Sequence, residues 1–371
     1  MLLWPVGDTV WIFAKNRSIL GMREFKAPTM HGTVHLFDRL PQVTRPAVDP
    51  PSGAAAPVRQ VPLIGVIRNP RSHRDPGEPL AWSGRATLLV ETPRQRDELQ
   101  GILARFAERR VDYIVVSGGD GTVRDVLTCG ASHFGESWPP LIIVPNGKTN
   151  ALAIDLGLPA RWTLEDALDA AMAGRIEQRR PLVVAQRDNA DARVQGFVFG
   201  AGAYSAAIQL GQRAHAKGAF NNVAVGVTAV WALLQTLFGS MGNVWRRGTA
   251  MRLWDRNGRE LPHSGYGRRD ERHLIFASTL TRFPAGMRPF GHSETSLQAA
   301  VIDKAHRGLL LRLPLIFRGL VSPKMRRFGY QVADAEDLKI DIADRFILDG
   351  EAFPAGRYRL SLGPKLRFVV P

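Results

Sequence analysis

The residues with the clearest chemistry lie in the stretch 115–126, Val-Val-Ser-Gly-Gly-Asp-Gly-Thr-Val-Arg-Asp-Val. Gly118, Gly119 and Gly121 surround a single acid, Asp120, and Thr122 follows. A β-branched run over 113–116 reads as a buried parallel strand, and a helical pattern begins near Thr122. The glycine turn therefore sits between the carboxyl end of a strand and the amino end of a helix. Free backbone N–H groups and the positive end of the helix dipole converge there, which suits phosphate. The glycines let the backbone approach an anion with no Cβ in the way. A carboxylate beside a phosphate is electrostatically costly, unless it holds Mg²⁺ or takes a proton from an attacking hydroxyl. An ordinary strand–turn–helix connection capped by Asp120 is the simpler alternative. Three glycines around one acid exceed what a cap requires.

Three further segments fall at strand ends. Asn69-Pro70-Arg71-Ser72 follows the apolar run 63–67, and Gly147-Lys148-Thr149-Asn150-Ala151-Leu152-Ala153 follows 141–144. Leu348-Asp349-Gly350-Glu351 lies near the C-terminus and taken alone reads as a hairpin turn. In this order, the four segments resemble the motifs of the diacylglycerol kinase catalytic-domain family. Sphingosine and ceramide kinases share its glycine signature, and NAD kinases carry a related form. The resemblance runs from about residue 62 to the end.

The resemblance implies an ATP-dependent lipid kinase that transfers the γ-phosphoryl group to a hydroxyl of a membrane lipid. Diacylglycerol is the family default, and ceramide or another sphingoid lipid is the alternative acceptor. It implies that Gly118, Gly119, Asp120, Gly121 and Thr122 cradle phosphates, with Asn69, Thr92, Lys148, Asn150 and Glu351 completing the nucleotide site. Asp349 is read as the general base, and Asp120 as the group positioning phosphate, Mg²⁺ or hydroxyl; the reverse assignment stays open. Mg²⁺ is expected on the nucleotide, and no protein ligand set for it is singled out. Several positions depart from the family pattern: Lys148 replaces the usual Thr, Ala151 the usual Asp, and Arg124-Asp125 the common Asn-Glu. Ser293-Glu294-Thr295 stands where many members have an Asp-Gly pair. NAD kinase is a competing enzyme class, opposed by the 147–153 segment and the C-terminal Asp-Gly-Glu. A basic lipid-binding protein with a relic kinase fold is the non-enzymatic reading, opposed by the presence of both acids.

Composition sets the frame for these motifs. A chain of 371 residues, 45% hydrophobic, favours two domains with real cores. Its lone cysteine, Cys129, excludes an intramolecular disulfide and fits a small core residue in a reducing compartment. The formal net charge of +15 draws anions such as nucleotides or acidic lipid head groups. No zinc spacing, helix-turn-helix or aromatic-basic RNA motif accompanies it, so no nucleic-acid partner is expected. The apolar residues of 1–20 are interrupted by Asp8, Lys15 and Arg17, with no signal-peptide h-region. The expected location is cytoplasmic, peripheral to the inner face of the membrane. Met22 and Met30 offer later starts, and oligomeric state is left open.

The elements that must position the motifs follow from periodicity. Residues 1–60 read as an N-terminal extension and Pro/Ala-rich linker. Residues 61–180 read as an α/β domain with a mostly parallel Rossmann-like sheet, strands at 63–67, 87–90, 113–116 and 141–144 alternating with helices. Every first-domain motif falls at a strand carboxyl end. Thr163 is expected to cap a helix over 163–173. Residues 181–371 read as a β-rich antiparallel domain of at least nine strands, the last at 366–370. The resemblance implies a β-sandwich here that carries the lipid-substrate site, with the active site in the cleft between domains. Two segments break this pattern. Residues 223–241 carry no charge and fit a buried helix, a membrane-dipping surface or, less well, a span. Residues 304–327 mix seven Lys/Arg with leucines and no acid, which suits either an anionic membrane surface or a packed helix with a solvated basic face.

Overall fold

The computed structural model describes residues 4–6, 9–11, 37–43, 59–72, 85–205, 248–283, 286–291 and 296–371. The 223–241 stretch and Ser293-Glu294-Thr295 lie outside the described residues. Residues 1–33 form a unit of their own, in which β1 (Trp4–Val6) pairs antiparallel with β2 (Thr9–Trp11). Everything below concerns the second unit, from Val34 onward.

The first layer is built as the alternating pattern predicts. β3 (Leu63–Arg68), β4 (Thr87–Glu91), β5 (Tyr113–Gly118) and β6 (Leu141–Pro145) pair in parallel. The central β5 and β6 are continuous apolar runs because helices cover both faces of the sheet. On one face pack α1 (Arg96–Glu108) and α2 (Asp120–Phe134), burying Leu99, Leu103, Phe106, Val123 and Leu127. On the other lies α4 (Leu164–Met172), with Ala167, Leu168 and Ala171 buried. Thr163 caps α4 through a reciprocal capping box with Asp166. Between them, the short α3 (Ala151–Asp155) follows the Gly147 turn.

The sheet has two members that periodicity assigned elsewhere or passed over. β7 (Ile176–Arg179) is an edge strand whose alternating polar pattern resembles a loop. β20 (Leu366–Val369), expected in the second domain, lies between β6 and β7, parallel to the first and antiparallel to the second. The last strand thus returns to the sheet that β3 opens. Leu366 and Phe368 fill the first core, which no local pattern could reveal.

The second layer is a β-sandwich. One antiparallel sheet has the order β12 (Glu271–Arg272), β11 (Thr249–Trp254), β16 (Leu338–Ile342), β19 (Gly356–Leu362), β8 (Leu182–Gln186), β9 (Arg193–Gly196). The other has the order β15 (Tyr330–Asp334), β14 (Gln298–Ile302), β13 (Leu274–Ser278), β10 (Val198–Gly202), β17 (Phe346–Leu348), β18 (Glu351–Phe353). The inner faces share Val184, Phe199, Ile275, Val301, Ile340, Phe346 and Leu360. The stretch 194–199 is split between two strands broken at Phe197, where the chain crosses from one sheet to the other. Residues 304–327 are not one amphipathic helix. They form α5 (Arg307–Leu310), α6 (Leu313–Phe317) and a 3₁₀ turn at Pro323–Phe328, which cover the outer face of the second sheet.

The expectation that residues 1–60 lie outside the catalytic fold fails for Phe37–Val43. Leu40 is 1% exposed within the sandwich core, Gln42 bridges Ala192, and the Phe37 amide donates to the Ala352 carbonyl at 2.9 Å. Phe37 stacks on Phe353 with ring centroids 4.7 Å apart. The Pro-rich composition around this segment hides two buried anchors. Leu40→Ala should therefore destabilise the protein by about 2–5 kcal/mol, the usual cost of emptying a buried leucine site. Chemical denaturation measures it, and an unchanged midpoint would mean that the segment merely rests on the surface.

Candidate active site

The parallel strands end along one edge, and their loops carry the site. Asn69 follows β3; its amide donates to the Ser117 carbonyl at 2.9 Å and its Nδ2 to Thr122 Oγ1 at 2.9 Å. Asn69 Oδ1 in turn accepts from the Arg71 amide at 3.0 Å, so one side chain ties the Asn-Pro turn to the glycine loop. Thr92 is exposed one residue beyond β4, at the same sheet level as Arg68 and Ser117. α2 starts at Asp120 rather than Thr122, with Gly119 as an N-cap lacking any side-chain hydrogen bond.

The two glycine turns touch each other. A Cβ at Gly119 would lie 2.9 Å from Gly147 Cα, and one at Gly147 would lie 2.5 Å from Gly119 Cα. Neither position accepts a side chain without separating the loops. Asn150 adopts the left-handed conformation, φ 51°, and folds its amide back on the turn, accepting from Gly147 N and donating to Gly147 O, both at 2.9 Å. Lys148 is exposed at the tip. The turn supports α3, whose first amides meet Asp120: Ala151 N donates to Oδ2 at 3.0 Å and Leu152 N to Oδ1 at 3.2 Å. Asp120 is thus a cap, as the simpler sequence alternative proposed, but for α3 rather than its own helix. Burial raises its pKa, opposed by these amides.

Asp349 arrives from the sandwich. Asp349 and Gly350 form the two-residue turn between β17 and β18, with φ of 46° and 85° as a type I′ hairpin needs. The hairpin alternative is therefore also correct, and the same turn delivers the acid. Its carboxylate accepts from Phe197 N at 3.1 Å and Val198 N at 2.8 Å. These are the two amides freed where the chain crosses between sheets. Gly196 must lack a side chain, since a Cβ there would collide with Asp349 Oδ2. Burial and the Asp120 charge push the Asp349 carboxyl up to about 7, against the Val198 amide, the Arg124 charge and the Phe197 amide.

Arg124, noted in the sequence only as a departure, is central. It is 2% exposed, donates to Asp125 Oδ1 at 2.9 Å and to the Leu348 carbonyl at 3.3 Å, and lies 5.7 and 5.8 Å from the Phe37 and Phe353 ring centroids. Burial opposes its charge, but Asp125, Glu351 and Asp349 together outweigh that and raise its pKa. Glu351 reaches the helix start, with Oε1 3.8 Å from where a Gly121 Cβ would stand. Tyr204, also missed in the sequence, is pushed above its usual range by burial and by the charges of Asp349 and Asp120. Nothing in its local sequence marks it. Cys129 is half-buried in α2 and its thiol is raised by burial, which fits the packing role expected of it.

The parallel layer and the sandwich are joined through further polar contacts. Asp155, fully buried at the end of α3, accepts from Arg179 Nε at 2.6 Å, Thr281 N at 2.7 Å and Arg282 N at 2.8 Å. Gln195 N donates to Thr128 Oγ1 at 3.0 Å. The structure therefore brings together Asn69, the 118–122 loop, Asn150, Asp349 and Glu351, leaving Thr92 and Lys148 exposed at the rim.

Residues 78–183 match the family model described as "Diacylglycerol kinase catalytic domain". The family resemblance read from the motifs is thus borne out by this match over residues 78–183. A crystal structure of a diacylglycerol kinase from Bacillus anthracis str. Sterne superposes with TM-score 0.53 over 85% of this chain and 99% of that one, at 13% identity. Such a likeness is one of fold. "Probable lipid kinase YegS" of Shigella flexneri is 37% identical over 79 residues, which are 20% of this chain and 26% of that protein. The Escherichia coli O1:K1 / APEC protein of the same name is 35% identical over the same shares. The chain thus matches about a quarter of the length of these curated relatives.

The raised Asp349 carboxyl has a consequence for stability. The folded protein holds this proton more tightly than the unfolded chain, whose Asp titrates near 3.9. Its contribution is fully present below that value and is lost as pH rises to about 7. Between those limits wild type should lose up to about 1.4 kcal/mol per pH unit relative to Asp349→Asn. Urea unfolding at pH 4.5 and 7.5 reads this directly. Parallel pH profiles for the two proteins would contradict it.

Proposed function

We propose that the protein is an ATP-dependent lipid kinase. The observation that carries the proposal is the meeting of Asp120 and Asp349, one from each domain, beside an uncapped helix start between two glycine turns in contact. The residues suit a nucleotide: a glycine without a side chain is the N-cap of α2, further glycines line the approach, and Lys148 is exposed at the neighbouring turn. Among the described residues no cluster of three or more His, Cys, Asp or Glu is placed to hold a metal. Mg²⁺ would thus be held mainly by nucleotide phosphates, where it neutralises charge during transfer.

The chain's own groups divide the work. The 118–122 loop, Asn69 and Asn150 position the phosphates. Ionised Asp349 takes the proton of the lipid hydroxyl as that oxygen bonds to the γ-phosphorus and the bond to the β-phosphate oxygen breaks, releasing ADP. Asp120 holds α3 against the loop, and its charge keeps the Asp349 proton affinity near neutrality. Diacylglycerol or ceramide is the acceptor class that the family resemblance favours.

The acceptor must be met at a bilayer. Among the described residues no helix is long and apolar enough to cross a membrane. Leu311, Leu315, Phe317 and Leu320 are 78%, 39%, 44% and 58% exposed, in a segment whose other exposed side chains include Arg318, Lys324, Arg326 and Arg327. Apolar side chains that enter the acyl boundary beside bases that meet phosphate make a surface for an anionic bilayer.

Radiolabelled ATP offered with diacylglycerol, ceramide or NAD tests the reaction. Label should enter a lipid, and Asp349→Asn and Asp120→Asn should each lower turnover by about 10²–10⁴. The rate should rise with pH through about 7, as Asp349 ionises. Transfer to NAD alone, or Asp349→Asn within a few-fold of wild type, contradicts the proposal. Replacing Lys324, Arg326 and Arg327 by Gln should weaken binding to acidic vesicles by up to about 3 kcal/mol. It should spare activity on detergent-dispersed lipid. Unchanged, salt-insensitive sedimentation with vesicles would mean that the basic run is only a solvated face.

A further inference from the structure

A second cavity lies at the other end of α3, between β7 and the second domain. Its volume is about 580 Å³, the size of a small-ligand site. Four cations line it, Arg179, Arg180, Arg288 and Lys365, and among the described residues no Asp or Glu does. Arg179 is neutralised by Asp155 and Glu177 beneath the wall. Among the described residues the lining holds no such acid for Arg180, Arg288 and Lys365. Arg180 is held in place by its Nε on the Gly363 carbonyl at 2.7 Å, and Arg288 by its amide on the Phe317 carbonyl at 2.8 Å.

Two further features point to a ligand. Thr279 is 8% exposed and its hydroxyl has no hydrogen-bond partner, a costly state for a buried polar atom. The lining also has an apolar part, with Phe283 and Phe290 in edge contact at 5.8 Å. Phe276 packs against both rings, and Tyr204 packs against Phe276 at 5.6 Å. A file of aromatic rings thus runs from this cavity to Tyr204, whose phenol feels the charges of Asp349 and Asp120.

We propose that this cavity binds a phosphate group, through Arg180, Arg288, Lys365 and the Thr279 hydroxyl. Cations and aromatic rings in one lining favour a phosphate that carries an acyl chain over a free ion. The proposal deepens the lipid-kinase reading by placing an acidic phospholipid next to the acceptor site, but binding here requires no phosphoryl transfer.

The test uses the full chain carrying Asp349→Asn, without ATP, so that binding is read whether or not the lipid-kinase reading holds. Calorimetry would compare inorganic phosphate, short-chain phosphatidylglycerol below its micelle concentration, and short-chain diacylglycerol. Phosphatidylglycerol should bind, and Arg288→Gln with Lys365→Gln should weaken it by about tenfold per lost cation. Both side chains are exposed, and an unchanged melting temperature would confirm an intact fold. Diacylglycerol binding should be indifferent to the two substitutions. If inorganic phosphate binds as tightly and with the same dependence, the phosphate site stands and its source is the free ion. Failure of both phosphate-bearing probes to bind, or binding unaltered in the double variant, overturns the proposal.

Discussion

Two like charges are forced together where the parallel layer meets the sandwich, and much of the structure serves to hold them there. Asp120 begins α2 of the parallel layer, and Asp349 lies in a hairpin of the sandwich. Both acids are half-buried, and burial together with the charge of Asp120 raises the proton affinity of Asp349. Such a pair persists only if other groups satisfy both carboxylates. The amides of Ala151 and Leu152 do so for Asp120, and those of Phe197 and Val198 for Asp349. All four amides lie at breaks in regular structure, a helix start and a sheet crossing, where backbone donors would otherwise lack partners.

Arg124 supplies the compensating positive charge and at the same time joins the domains. Buried between Phe37 and Phe353, it bonds to the Leu348 carbonyl one residue before Asp349. A charge this deep is tolerable only because Asp125, Glu351 and Asp349 surround it. The segment around Phe37 thereby acts on the site from a distance, by closing the shell around Arg124. Asp155 performs a similar joining role at the far end of α3. The short helix is thus fixed at both ends by buried acids, one facing each domain.

The parallel layer was legible because its strands are apolar runs and its helices have clear periodicity, and the Thr163 capping box was readable to the residue. The motif loops were also legible, since glycines and Asn at strand ends leave a strong local mark. What escaped was non-local. β20 looks like any sandwich strand, and only its partners place it in the first sheet. Arg124 and Tyr204 sit outside any pattern that could distinguish a buried charge partner from a surface residue. Leu40 and Phe37 lie in a stretch whose prolines suggest a linker, and two apolar side chains are too few to contradict that. Asp120 was recognised as functional chemistry and as a possible cap, yet the helix it caps is thirty residues away in sequence.

The electrostatic coupling of the two acids is the central claim, and the carboxyl carbon of Asp349 reports it directly. In protein labelled with ¹³C at aspartate, this resonance should titrate near 7. In Asp120→Asn its midpoint should fall, because the second-largest cause of the shift has been removed while one amide acceptor is retained. A midpoint near 4 in wild type, or one near 7 that Asp120→Asn leaves unmoved, would show that the two carboxylates do not form one site.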